Sequence, residues 1–222
     1  RLRGARGAQE RLIAEAAHEL RTPLQLMRTS LDLGLRRERP AAELKEALEV
    51  VRGEVTRLAH LSTRLLDLAT ARRGHWDRAP GDLAAAAREA AEAIRAEAET
   101  RSVLVEVFAP EPVQASFDPN GIRQALDNLL ANALRHGPAG GTVRIEVRRA
   151  GGAARLVVHD DGPGIPAVDR ERVFEPFARG TDKPGSAGLG LAIVREVARG
   201  HGGRAWVPDG QGGNVALEIP AR

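Results

Sequence analysis

The chain has 222 residues, which is enough for one large domain or two modest ones with buried cores. Its 33 Lys and Arg residues nearly balance 30 Asp and Glu residues, the formal net charge is +3, and aromatic residues make up only 3%. This composition argues against a basic, aromatic-rich surface for nucleic acid, and the lack of cysteine excludes disulfides and thiolate metal sites.

No stretch of the chain approaches the roughly 18 apolar residues that span a bilayer, and no signal peptide is recognisable. The absence of cysteine fits a reducing compartment, and the chain begins with Arg1 rather than Met. We therefore expect a soluble, cytoplasmic fragment without direct membrane contact. It would be cut from a longer protein whose missing N-terminal region would carry any membrane anchor.

Two long helices are predicted first. Apolar residues recur in alternating steps of four and three from Ile13 to Leu31, the period of a narrow buried face, and predict a helix over residues 1–37. Pro40 ends this helix, and the same period returns over residues 41–73. The two helices form an antiparallel hairpin, and residues 1–73 are the first predicted domain. Because one hairpin buries only part of these faces, we expect a homodimeric four-helix bundle; the alternative is a monomeric hairpin packed on the rest of the chain.

A linker and a second domain follow. Residues 74–81 contain Trp76, Pro80 and two glycines, and we predict that this linker acts as a hinge. Over residues 82–222 the patterns predict a helix at 82–99 capped by Gly81 or Asp82, strands at 103–108 and 113–117, a helix at 118–136, strands at 142–148 and 154–159, a helix at 189–199, and a hairpin of strands at 204–207 and 215–219. This order indicates a two-layer α/β sandwich.

The first helix contains the string HELRTPL, from His18 to Leu24. His18 is expected on the flank of the bundle, where a neutral imidazole is a usable nucleophile and Glu19 a possible proton acceptor. Pro23 removes one helix hydrogen bond, so a kink is expected. A single helix histidine is more often a surface or packing residue, and that is our interpretation of the other four considered: His60, His75, His159 and His201.

The helix predicted at 118–136 carries Asn128 and Asn132 four residues apart, on one face. Amide oxygens are hard ligands that suit Mg²⁺, which also relies on substrate phosphates and water. Arg135 and His136 end this helix, where a phosphate tail could be met. Taken alone, two such asparagines are more often surface or capping residues.

Three further segments are rich in glycine or aromatic residues. The string DDGPGI begins at Asp160, directly after a strand; it is either a tight turn or a site where a carboxylate accepts hydrogen bonds from an exocyclic amine. Phe174 and Phe177 precede a polar stretch, residues 180–187, that we interpret as a mobile flap. Glycines at 185, 188 and 190 open a helix, whose N-terminal amides bind anions, yet the string is neither a Walker A loop nor a dinucleotide fingerprint.

The HELRTPL string resembles the phospho-acceptor box of sensor histidine kinases. The four later segments, in this order and spacing, resemble the N, G1, F and G2 boxes of the histidine kinase ATP-binding domain, the Bergerat fold shared with gyrase, Hsp90 and MutL. The resemblance covers nearly the whole chain and implies that ATP and Mg²⁺ are bound. The residues that it assigns to ATP are Asn128, Asn132, Arg135, His136, Asp160, Gly162, Gly164, Ile165, Phe174, Phe177, Arg179, Gly188, Leu189 and Gly190.

Within that set the resemblance implies separate roles. Asp160 would contact the adenine amino group, and Asn128 and Asn132 would hold Mg²⁺. Arg179 would reach the γ-phosphate from the flap. Arg135 and His136 would serve the phosphates or ribose; many members carry Lys and an aromatic residue at these two places, and a guanidinium does not fully mimic an ammonium.

The implied reaction is in-line phosphoryl transfer from ATP to His18, with Glu19 taking the proton, followed by transfer to an aspartate of a response regulator receiver domain. Thr22 would position a water that dephosphorylates the regulator; it could also be an ordinary helix-face hydroxyl. Two alternatives stay open, a Bergerat-fold ATPase, which leaves HELRTPL unexplained, and a non-catalytic signalling scaffold. Whether a subunit would phosphorylate itself or its dimer mate depends on the handedness of the turn around residues 37–42.

Overall fold

The computed structural model describes residues 2–36, 40–178, 187–210 and 212–221. Residues 2–36 and 40–66 belong to one compact unit, and residues 67–178, 188–210 and 212–221 belong to a second. The division therefore falls inside the second helix rather than at the predicted linker.

The first unit is built from helix α1, Leu2–Leu35, and most of helix α2, Ala41–Arg73. Helix α1 continues through Pro23, so the proline does not end it. Large apolar side chains stay exposed on both helices in the single chain, at Ile13, Leu24, Leu31, Leu48 and Val55. The hairpin is confirmed, and by itself it leaves an apolar surface uncovered.

In the part of the chain that is described, no helix has the length and hydropathy to cross a bilayer.

The described residues of the second unit form seven strands and four helices beyond α2. These are β1 (Ala79–Asp82), α3 (Leu83–Ala93), α4 (Arg95–Thr100), β2 (Leu104–Phe108), β3 (Gln114–Phe117), α5 (Pro119–His136), β4 (Thr142–Ala150), β5 (Ala153–Asp160), α6 (Gly190–Gly200), β6 (Arg204–Trp206) and β7 (Gly213–Pro220). Two short 3-10 helices, Ala167–Asp169 and Arg172–Phe174, lie between β5 and α6 and were not predicted.

Five strands form one mixed sheet in the order β2-β4-β5-β7-β6. Strands β2 and β4 run parallel, and the other neighbouring pairs run antiparallel. Helices α3, α5 and α6 bury their apolar faces in the core, which includes the fully buried side chains of Leu83, Ile122, Leu126, Leu130, Ile145, Leu156 and Ile193. The predicted two-layer α/β sandwich is confirmed.

The segment predicted as linker is partly regular structure. Strand β1 pairs with β3 in a separate two-stranded sheet, with Ala79 opposite Phe117. A Cβ on Gly81 would lie 2.7 Å from Cζ of the Phe117 ring, so only glycine fits this approach. Residues 79–81 therefore belong to the sandwich, and the interpretation of this stretch as free linker was wrong for them.

The predicted helix over 82–99 also differs from the structure. Its cap is Asp82, whose Oδ1 accepts hydrogen bonds from the backbone of Ala84 at 3.0 Å and Val113 at 2.8 Å. The helix is interrupted at Ile94, where φ is −95° and ψ is 0°, and it resumes as α4. No local sequence signal at Ile94 explains the break.

Candidate functional site

On the hairpin, His18 is an exposed residue of α1 and Glu19 is half-buried beside it. The carboxylate of Glu19 lies 3.7 Å from the guanidinium of Arg57 on α2, which is also 3.6 Å from Glu54. Thr22 is exposed one turn after His18. The structure thus brings the three residues of the predicted acceptor box to one stretch of helix, and it adds Arg57, which the sequence did not indicate.

In the sandwich, the carboxylate of Asp160 is held by backbone amides from two elements. It is the last residue of β5 and is 9% exposed. The amide of Gly162 donates to its Oδ1 at 2.8 Å, and the amide of Gly213 on β7 donates to the same carboxylate. Burial raises the pKa of Asp160, and the two backbone donors oppose that rise. The Asp160 carboxylate is therefore a hydrogen-bond acceptor that is held in place and largely shielded from water.

The glycines around Asp160 allow this approach. A side chain on Gly213 would collide with the Asp160 carboxylate, and a Cβ on Gly162 would lie 2.5 Å from Asp160 Oδ1 and 2.9 Å from the carbonyl oxygen of His136. The loop after β5 therefore packs against the C-terminal end of α5. Gly164 has φ of +78°, which glycine adopts without strain. Ile165, next in this loop, is half-buried.

Helix α5 carries the two predicted asparagines in different settings. Asn128 is 4% exposed, and its Nδ2 donates to the carbonyl of Gln124 at 2.8 Å. A Cβ on Gly190 would lie 3.1 Å from Asn128 Oδ1, so α5 meets the first residue of α6 at this point. Asn132, one turn further along α5, is half-buried, as are Arg135 and His136.

The start of α6 is contacted by the segment that contains the two phenylalanines. Phe174 is 2% exposed, and Leu189 is 1% exposed. Gly188 has φ of +64°, and a Cβ there would lie 2.7 Å from both the carbonyl carbon of Phe177 and the carbonyl oxygen of Ala178. Leu189, the N-cap residue of α6, makes no side-chain cap, and helix amides that lack such a cap can bind an anion.

The structure therefore gathers the predicted N, G1, F and G2 segments around the ends of β5, α5 and α6. Arg179 and almost all of the predicted flap over residues 180–187 lie outside the described residues. His18, Glu19 and Thr22 belong to the other compact unit. Sequence reasoning missed Gly213, although the glycine pair at 212–213, where β7 begins, was a signal for a close backbone approach.

The donor set at this site fits a magnesium ion that is bound with a nucleotide. In the described part of the chain no group of three or more His, Asp or Glu side chains is arranged to hold a metal. A metal here would depend on amide oxygens, phosphate oxygens and water, which is the set that Mg²⁺ prefers. Asn132 is half-buried whereas Asn128 is 4% exposed, so the Asn132 amide is the more accessible of the two to an ion.

A cleft of about 360 Å³ borders the loop after β5, lined by Pro163, Gly164, Ile165, Pro166, Arg170, Val207, Pro208, Gly210 and Gly212. None of Asn128, Asn132 and Asp160 lines it. We therefore do not assign the nucleotide to this cleft.

Two family models match the chain. Residues 8–74 match the His Kinase A phospho-acceptor domain, and residues 117–222 match the histidine kinase-, DNA gyrase B- and HSP90-like ATPase. The chain is 37% identical to the sensor protein CutS of Streptomyces coelicolor over 99% of its own length and 54% of CutS. It is also 37% identical to the histidine-protein kinase/phosphatase MprB of Mycobacterium avium, over 92% of the chain and 40% of MprB. The chain thus spans about half or less of these curated relatives.

Solved structures of histidine kinases are also similar to this chain. A mycobacterial sensor histidine kinase MprB structure is 34% identical, with a TM-score of 0.59 over 65% of this chain and 98% of that one. The histidine kinase ThkA, solved in complex with the response regulator protein TrrA, has a TM-score of 0.78 over 98% of this chain and 65% of that one. At 24% identity, the ThkA match supports the fold alone.

Proposed function

Since the chain belongs to the sensor histidine kinase family, we propose that it is an ATP-dependent protein-histidine kinase that phosphorylates itself on His18. The observation that carries the proposal is that one chain has an exposed His18 next to Glu19, a carboxylate of Asp160 held by backbone amides, and a helix α6 whose N-cap residue makes no side-chain cap. The first pair offers a nucleophile and a proton acceptor, and the second offers a base-binding carboxylate and an anion site.

In the proposed reaction one imidazole nitrogen of His18 attacks the γ-phosphorus of ATP in line. A nitrogen–phosphorus bond forms, the bond to the bridging oxygen breaks, and ADP leaves. Glu19 orients the other ring nitrogen and takes its proton. Arg57, at 3.7 Å, limits the positions of the Glu19 carboxylate.

Each part of the nucleotide would meet a different element. The adenine amino group donates to Asp160, whose carboxylate the amides of Gly162 and Gly213 hold in place. The phosphates would lie at the start of α6, whose N-cap residue Leu189 makes no side-chain hydrogen bond to the helix amides. Asn132, with Asn128 behind it, would hold Mg²⁺, which when bound offsets the charge of the phosphate oxygens.

We further propose that the chain has three functional segments and that it binds two partners, a second copy of itself and a response regulator. Residues 1–73 would serve dimerisation and phosphoryl transfer, residues 82–222 would bind ATP, and residues 74–81 would connect them. A second copy would cover the exposed apolar face of the hairpin, completing a four-helix bundle. The receiver domain of a response regulator would take the phosphoryl group on an aspartate, and Thr22 would support its later dephosphorylation. The histidine kinase ThkA, which has a similar fold, was solved in complex with the response regulator protein TrrA, and this supports a partner of the same kind here.

Incubation with γ-labelled ATP tests the proposal. We expect acid-labile label on the protein that is absent from His18→Ala, with His60→Ala as a matched exposed histidine of the same hairpin that keeps the label. Asp160→Asn should lose labelling while its circular dichroism spectrum is unchanged. Release of free phosphate without protein labelling would instead favour a Bergerat-fold ATPase, and failure to bind any adenine nucleotide would leave a signalling scaffold.

A further inference from the structure

The residues between α2 and β1, which we call the connector (residues 74–78), are anchored to the second unit by Trp76. Its indole is half-buried against Gly121 in the first turn of α5 and Gly200 at the end of α6. A Cβ on Gly121 would lie 2.5 Å from Cζ3 of the ring, and a side chain on Gly200 would collide with the indole. Two glycines on different helices thus form a notch that the tryptophan fills.

His201 forms the floor of this notch. It is 1% exposed, and its ring centroid lies 4.9 Å from that of Trp76, at an angle of 49°. Its Nδ1 is 2.7 Å from the carbonyl oxygen of Val197, and its Nε2 accepts from the amide of Asp118 at 2.9 Å. Because a carbonyl only accepts and an amide only donates, Nδ1 carries the single ring proton. The ring therefore links the end of α6 to Asp118, which is the N-cap residue of α5.

The rest of the connector adds polar contacts to the same two helices. The amide of Asp77 donates to Asp118 Oδ2 at 2.9 Å, while Oδ1 of that carboxylate accepts from Gly121 at 2.8 Å. The guanidinium of Arg78 donates to the carbonyl of Gly200. From Trp76 to Arg78, every residue has a partner on the N-terminus of α5 or the C-terminus of α6.

The last turns of α2, before the connector, are held in the same unit. Leu68 is fully buried and Ala71 is 4% exposed. Arg72 forms an ion pair with Glu196 of α6 at 3.5 Å. Gly74, with φ of +71°, ends the helix, so it serves as a helix stop. The compact unit accordingly begins at Asp67.

From these contacts we infer that Trp76 is a positioning residue that fixes the connector to α5 and α6, and that the pivot for phosphoryl transfer lies within α2 near Leu66 and Asp67. This inference rests on the proposed kinase activity and revises the hinge expected at residues 74–81. Helices α5 and α6 carry Asn132 and Gly190, so the connector and the nucleotide-binding residues move as one body. Bending in α2 then brings ATP to His18.

The first test follows the connector without relying on activity. The chain has two tryptophans, so Trp206→Phe leaves Trp76 as the single fluorophore. We expect acrylamide to quench Trp76 equally in the free protein, with ADP, and during labelling by ATP. Trp76→Phe, which keeps only Trp206, controls for general loosening. A rise in Trp76 quenching on nucleotide binding or phosphorylation would contradict the inference, whether or not His18 is labelled.

The second test restrains the pivot. The chain has no cysteine, so pairs can be introduced and joined by a reducible thiol cross-linker one helical turn apart. Joining Thr63→Cys to Asp67→Cys should slow labelling of His18 about tenfold or more, and reduction should restore it. Joining Ala69→Cys to Arg73→Cys, the matched pair downstream in α2, should leave labelling unchanged. Equal rates for both pairs in an enzyme that labels His18 would overturn the pivot, whereas no labelling before cross-linking would count against the kinase activity instead.

Discussion

Gly213 sets the position of the Asp160 carboxylate from the neighbouring strand. Its amide donates to that carboxylate, and any Cβ there would displace it. We expect Gly213→Ala to weaken ADP binding about tenfold, equivalent to about 1.4 kcal/mol, while the sandwich stays folded. Isothermal titration measures this. Gly152→Ala, whose added methyl meets no atom within 4 Å, is the matched glycine and should bind as the wild type does.

His201 makes stability depend on pH. Burial lowers its pKa below 6.5, and nearby Arg78 acts in the same direction, while the hydrogen bond to Val197 and the charge of Asp118 oppose the shift. The His201 ring is therefore neutral in the folded protein. As pH falls through about 6.5 the unfolded chain takes up the proton first, so stability is lost until the lowered pKa is reached.

Urea unfolding between pH 8 and pH 5 checks this expectation. The free energy of unfolding should be flat above about pH 7 and should fall below it. His201→Gln keeps a polar side chain but does not titrate, and the difference between the two curves isolates this histidine from the others. Parallel curves would show that the ring does not carry the effect.

At the scale of elements, the parts with strong periodicity were predictable and those held by distant contacts were not. The bounds of helix α2 could be predicted because apolar residues repeat at helical spacing along its 33 residues. Its end could be predicted because Gly74 follows two arginines. Strand β1 was missed because Ala-Pro-Gly-Asp has no strand propensity; pairing with β3 and the Phe117 ring against Gly81 make it a strand.

The site shows the same contrast. The four glycine- and asparagine-containing segments could be recognised because their local strings carry the chemistry. Gly213 and Trp76 act on residues far away along the chain: the glycine pair at 212–213 signals a close backbone approach but not its partner, and no local string identifies the partners of Trp76. Arg57 is separated from Glu19 by the hairpin turn, and their pairing becomes visible only once α1 and α2 are set side by side.

Asp82 joins two elements through one carboxylate oxygen. It caps α3 through Ala84 and also accepts from Val113, which precedes β3. Asp82→Ala should lower the free energy of unfolding by about 1–2 kcal/mol, measured in urea, because both amides lose their partner. Asp82→Asn keeps an acceptor oxygen and should retain most of the stability. An equal loss in both variants would mean that the negative charge, rather than the acceptor, matters.

For the whole molecule, the exposed apolar face of the hairpin predicts self-association. Leu48 and Leu24 are 61% and 53% exposed in the single chain. We expect a dimer in sedimentation experiments, and a charge at this face, as in Leu48→Glu, should shift it to monomer because an unpaired carboxylate would be buried. Val168→Glu, at an 89% exposed valine of the second unit, is the matched change and should leave the dimer intact. A wild-type monomer at micromolar concentration would contradict the four-helix bundle.

The notch filled by Trp76 has a practical consequence for dissecting the protein. The region that matches the ATPase family begins at residue 117, and the sequence alone would suggest cutting the chain before Asp82. The indole that fills the notch, however, belongs to Trp76, which precedes both positions. A recombinant piece that starts at Asp82 would leave Gly121, Gly200 and His201 open to water and would lose the buried Leu68. A piece that starts at Asp67 keeps them covered, and we expect it to melt at a higher temperature and to purify with less aggregation.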